Sequence, residues 1–125
     1  MKKVIVLIAL VFGMTIATQA QTATVKTISL EQTTGEFTQK QVTVDAGTYV
    51  FEIDNNNVGT KVGFVLVPKG KDVSDKANHI KTAYVTALVE NNTTGNSNPT
   101  TLEKGEYVYF CPLNKTATDN VLIVQ

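Results

Sequence analysis

From Val25 onward, apolar and polar residues alternate at a period of two in short runs broken by Gly, Asn or Pro. A strand turns successive side chains to opposite faces, so each run is built to bury one face and wet the other. Good helix formers never line up at helical spacing for long, and Val, Thr, Ile and aromatic residues dominate. Such a chain is confined to an all-β architecture, a Greek-key β-sandwich or barrel. The runs are Val25 to Leu30, Gln41 to Asp45, Thr48 to Asp54, Lys61 to Val67, Tyr84 to Glu90, Thr100 to Leu102, Glu106 to Cys111 and Val121 to Val124, about eight strands. Tyr49, Phe51 and Ile53 share one face of the third. The fourth is apolar on both faces, which predicts a central strand. Asp72 to Thr82 breaks the alternation. It reads as one short helical insert, capped by Asp72 or Ser74, with Ala77, Ile80 and Ala83 toward the core. Asn91 to Pro99 is polar and turn-rich, and is expected as a surface loop.

The residues ahead of these runs carry an address. Lys2 and Lys3 precede nine unbroken apolar residues, Val4 to Phe12, and Thr18-Gln19-Ala20 places small residues at the cleavage positions. That order is the order of a secretory signal peptide, and the apolar run is shorter than the ~20 residues of a membrane-spanning helix. Cleavage after Ala20 is expected, giving a periplasmic or secreted protein without a membrane anchor. Residues 21–125 then form one domain, large enough for a single core.

Charge excludes one class of partner. Without Lys2 and Lys3 the chain has nine lysines against eleven acids, a balance of −2, and it contains no arginine. A nucleic-acid binder needs a basic stripe and favours arginine for bidentate contacts, so no nucleic acid is expected as partner. A protein partner is left open. Cys111 is the sole cysteine, which rules out an internal disulfide and a lipid-bearing cysteine at the cleavage point. Its thiol is buried and inert, paired to another chain, or bound to a metal.

Two segments repeat one plan. Val44-Asp45-Ala46-Gly47-Thr48-Tyr49-Val50-Phe51 and Leu102-Glu103-Lys104-Gly105-Glu106-Tyr107-Val108-Tyr109 each run from a strand end through a glycine turn into Tyr-Val-aromatic. Glycine suits the turn because it tolerates positive φ.

The second of these segments continues into Phe110-Cys111-Pro112-Leu113, and in that form it resembles the penultimate strand of a cupredoxin, the plastocyanin and azurin family. Asn55 to Val62 resembles the Asn-rich loop and strand that carry the first histidine ligand there. Val42 to Tyr49 resembles the strand and turn before it. The resemblance implies a sandwich with a blue-copper site, in which two imidazoles and a thiolate share a plane with a weak axial methionine. Carried onto this chain, it places Cys111 in the thiolate slot, Thr60 in the first histidine slot and Asn114 in the second. No methionine follows, since Met1 and Met14 are the only two. Thr60 and Asn114 cannot replace imidazole for Cu(II). The single histidine, His79, falls in the helical insert and is expected to face solvent, a poor candidate ligand. Asn114 is expected to bond its own loop backbone.

Enzyme constellations are missing as well: there is no His-x-x-His, no phosphate-cradling glycine loop and no serine flanked by glycines. The sequence therefore predicts an exported, non-enzymatic cupredoxin-like binding or structural module whose copper site is lost or reduced, with no cofactor expected. The alternative is a copper carrier or electron-transfer protein that uses Cys111 as its thiolate.

Overall fold

The computed structural model describes residues 24–125, which build two facing sheets; the expected signal peptide lies outside the described residues. The strands are β1 (Lys26–Thr33), β2 (Glu36–Phe37), β3 (Gln41–Val44), β4 (Gly47–Asn55), β5 (Val65–Pro68), β6 (Thr94–Asn96), β7 (Thr100–Leu102), β8 (Gly105–Phe110) and β9 (Asn120–Val124). One sheet has the order β3-β9-β8-β5, and the other the order β2-β1-β4-β6 with β7 also paired to β4. β1 runs parallel to β4, and β3 parallel to β9. Each parallel pair joins strands that are not consecutive, so the chain crosses between sheets rather than meandering through one.

Period-two alternation translates directly into the core. Tyr49, Phe51 and Ile53 of β4 are buried, with half-buried residues between them, and Ile28 and Leu30 of β1 lie on the same inner face. They meet Phe64, Leu66, Tyr109, Cys111 and Leu122 from the opposite sheet. Aromatic rings lock the centre. Phe51 lies 4.8 Å from Phe64, and Phe37 stands edge-on to Tyr109 at 5.0 Å between centroids, separations at which aromatic pairs attract beyond their buried area.

The repeated segment forms the same corner twice. The Tyr49 hydroxyl donates to the Asp45 carbonyl at 2.6 Å, and the Tyr107 hydroxyl donates to the Glu103 carbonyl at 2.9 Å. In both, a tyrosine just past the glycine turn reaches back four residues and ties strand start to strand end. Tyr107 is half-buried and packs against the core edge, while Tyr109 and Cys111 on the same face are fully buried.

Four expectations need correction. Lys61 to Val67 is no central strand: only Val65–Pro68 is extended, and β5 lies at a sheet edge. Its second apolar face is covered by the segment that follows, because Val65 and Val67 pack with Val108, Phe110, Val73 and Tyr84. Burial by a loop and burial by neighbouring strands leave the same two-sided apolar signature. The insert is helical as two separate 3₁₀ turns, Lys76–Asn78 and Lys81–Ala83, rather than as one continuous helix. Asp75 caps the first of them through Ala77 N, and Ala77 is exposed, so only Ile80 and Ala83 reach the core. Tyr84 to Glu90 makes isolated bridges (Val62 to Val89, Val85 to Ser97) instead of a strand. Finally, Asn91 to Pro99 contains β6, paired to β4.

Burial pushes the Tyr109 phenol up to about 12, and its hydroxyl donates to the Gln39 carbonyl. A group whose folded pKa is raised stabilises fully below its unfolded value and loses that contribution as pH rises through the folded one. Stability should therefore fall between about pH 10 and pH 12. Urea melts of Tyr109→Phe should show a shallower fall across that window, after a loss at neutral pH for the missing hydrogen bond.

Candidate functional site

The thiolate slot sits just past the end of β8, where strand parity turns Cys111 inward. Its side chain is 0% exposed. Two backbone groups donate to Sγ, Gly63 N at 3.3 Å and Asn114 N at 3.3 Å. The backbone on either side is tied as well: Thr116 Oγ1 accepts from Cys111 N at 2.9 Å, and Thr116 N donates to the Cys111 carbonyl. Sulfur is thus an acceptor held in place by its surroundings, with no face open to solvent.

The other slots bring no side-chain ligand to it. Thr60 is exposed, and its carbonyl accepts from Asn55 Nδ2 at 2.7 Å. On that approach the residue that touches the sulfur is Gly63, three positions further along. Asn114 is buried, but its amide is turned away from its own loop, contrary to expectation. Nδ2 donates to the Thr33 carbonyl at 2.8 Å and to Gln32 Oε1 at 3.1 Å, and Oδ1 accepts from Gly35 N at 2.8 Å. All of these partners belong to β1 and its turn into β2.

Gln32 completes this arrangement. It is wholly buried, and its Nε2 donates to the Gly63 carbonyl at 2.9 Å while Oε1 receives Asn114. One glutamine and one asparagine therefore weld together the loop after Cys111, the end of β1 and the strand approach at Gly63. Every polar side-chain atom of the pair has a partner, which removes the penalty of burying them. No sequence motif marks Gln32, although its position carries a signal. It continues the inward parity of Ile28 and Leu30, and a glutamine on an apolar face must find partners.

His79 is not solvent-facing. It is half-buried against the outer side of the sheet, its ring 6.1 Å from that of Phe110. Nε2 lies 2.8 Å from the Val73 carbonyl, which can only accept, so Nε2 carries a proton, and Nδ1 pairs with the Tyr84 hydroxyl at 2.6 Å. Phe110, the last residue of β8, and Cys111, which follows it, are consecutive residues turned to opposite faces of the sheet. The sheet thus stands between the imidazole and the thiol. A blue-copper ion needs two imidazoles beside the thiolate, and this donor set does not fit it. Among the described residues no three His, Cys, Asp or Glu side chains cluster as a metal site, and no described helix is long and apolar enough to cross a membrane.

No family model matches the chain, and no curated protein matches it. Solved structures do. Auracyanin B is similar at 22% identity with a TM-score of 0.65, over 84% of this chain and 91% of that one. Auracyanin A, a blue copper protein from Chloroflexus aurantiacus, is similar at 22% identity and TM-score 0.64, over 82% and 100%. Auracyanin from Roseiflexus castenholzii gives 18% identity and 0.61, over 80% and 97%. With two sheets in this topology and these neighbours across most of its length, the chain has the cupredoxin fold.

Proposed function

We propose that the protein is an exported, non-enzymatic cupredoxin-like module that serves as a binding or structural domain and has lost the blue-copper centre of its fold. The observation that carries this reading is the sequestered sulfur. Cys111 Sγ is enclosed and receives two backbone N–H groups, while the single imidazole lies across the sheet. The Gln32–Asn114 bridge ties down the cysteine loop by hydrogen bonds alone. Export is supported by the signal-peptide pattern of residues 1–20.

Copper titration of the purified protein, followed by visible absorption, tests the proposal. Cu(II) should produce no intense thiolate-to-copper charge-transfer band, because that band needs the thiolate held in a plane with two imidazoles. An intense blue colour would overturn the reading. The rival, copper carriage through Cys111, is favoured by the auracyanin A neighbour, itself described as a blue copper protein. It requires stoichiometric Cu(I) uptake that Cys111→Ala abolishes and His79→Ala leaves unchanged.

A further inference from the structure

Beside the cysteine loop, on the outer side of the sheet that carries β8, lies a cavity of about 390 Å³ between that loop and the two 3₁₀ turns. Phe64, Val65, Val85, Leu88, Pro112 and Leu113 supply its walls. Leu88 and Leu113 are large apolar side chains left 51% and 47% exposed, in a protein whose other leucines, within the described sandwich, are buried. The volume falls in the range of small-molecule sites, which are mainly apolar with a few placed polar groups.

The polar residues around it are disposed unequally. His79 and Tyr84 line the cavity but spend their polar atoms on each other and on the Val73 carbonyl, so they offer it ring surface. Lys76 is different. It is exposed, it brings the one formal charge among the described lining residues, and it takes no part in the ion pairs Lys40–Glu36, Lys61–Glu90 and Lys69–Glu106. The nearest acids in the chain are turned elsewhere: Asp72 accepts from Ser74, and Asp75 caps Ala77 N. An apolar cleft with a single unpaired ammonium at its edge complements a small amphipathic anion.

We propose that this cavity is a binding site for a small apolar carboxylate, whose hydrocarbon part lies between Leu88 and Leu113 and whose carboxylate meets Lys76. The inference rests on reading the protein as a binding module, and it gives that module a ligand class. Burial of the hydrocarbon against the two leucines supplies most of the affinity, and the lysine selects the sign of the head group.

Sodium octanoate titrated into ¹⁵N-labelled protein tests it, with octylammonium as the probe of opposite charge. Octanoate should cause saturable amide shifts at Gly63, Leu88 and Leu113, and octylammonium should bind roughly three- to tenfold more weakly, the scale of an exposed ion pair exchanged for a repulsion. Lys76→Glu should reverse that preference, and Leu88→Asp should remove saturable binding of both; each site is exposed, so both variants should fold. Absence of saturable shifts, equal binding of the two probes, or full binding by Leu88→Asp would each overturn the proposal. Its failure is separable from failure of the module reading. If octanoate does not bind and Cu(II) gives no blue band, only the ligand class falls. A blue band removes the module reading whatever octanoate does.

Discussion

Phe51→Ala should lower the unfolding free energy by about 3 to 5 kcal/mol, the cost of deleting a large buried aromatic and leaving its space partly unfilled. Phe51 is 0% exposed at the middle of β4, between Tyr49 and Ile53 on the same face. Its ring packs on Phe64, which reaches in from the facing sheet and also touches Phe37 and Tyr109. Truncation therefore opens a void where both sheets meet, and a close-packed interior collapses into such a void only in part. A domain of this size holds about 5 to 15 kcal/mol in total, so the variant should lose a large share of its stability, read in urea melts as a lowered midpoint at unchanged slope. A loss under ~1 kcal/mol would mean that the strand parity assigned to β4 is wrong.

The second large effect should come from a polar residue. Gln32→Leu keeps the approximate size of the side chain, yet it strands the Gly63 carbonyl and one Asn114 N–H inside the protein. Each unsatisfied buried group costs about 1 to 3 kcal/mol, so two of them should cost roughly 2 to 6 kcal/mol. Gln32→Glu separates this hydrogen-bond account from simple packing. At neutral pH it buries a carboxylate and faces the Gly63 carbonyl with an acceptor. Burial raises the folded pKa of such a group, so its favourable contribution is complete below the unfolded value of about 4.3 and is lost as pH rises. The deficit of the variant should accordingly shrink on acidification, when a protonated carboxyl can again donate to Gly63. Equal melts of Gln32→Glu and the parent at pH 7 would show that the bridge contributes nothing.

This bridge also governs any attempt to install copper. Histidines at Thr60 and Asn114 follow from the spacing of the resemblance. In the fold, the first position is exposed, and the second would give up contacts to Thr33, Gln32 and Gly35. The strand approach adjoining the sulfur passes through Val62 and Gly63, and Val62 is itself wholly buried in the core.

Some features were legible residue by residue. Strand parity around Phe51 and Tyr109 follows from a two-residue period, which any short window of sequence displays. The paired tyrosine corners could be read from the matched Gly-x-Tyr turns, because each hydrogen bond spans only four residues. The shortage of copper ligands is a property of composition: one histidine and no methionine after Met14 hold whatever the fold. Other features belong to the tertiary structure alone. Val65 and Val67 are apolar because a later loop lies over them, and their own run cannot distinguish that loop from flanking strands. The bond between Gln32 and Asn114 joins residues 82 positions apart. His79 and Cys111 were placed on opposite sides of one sheet by the path of the 3₁₀ turns, and the cavity beside Lys76 exists only where that path meets the cysteine loop. Periodicity records which way a side chain points from its own strand; what stands opposite it is set by contacts between distant segments, which no local pattern encodes.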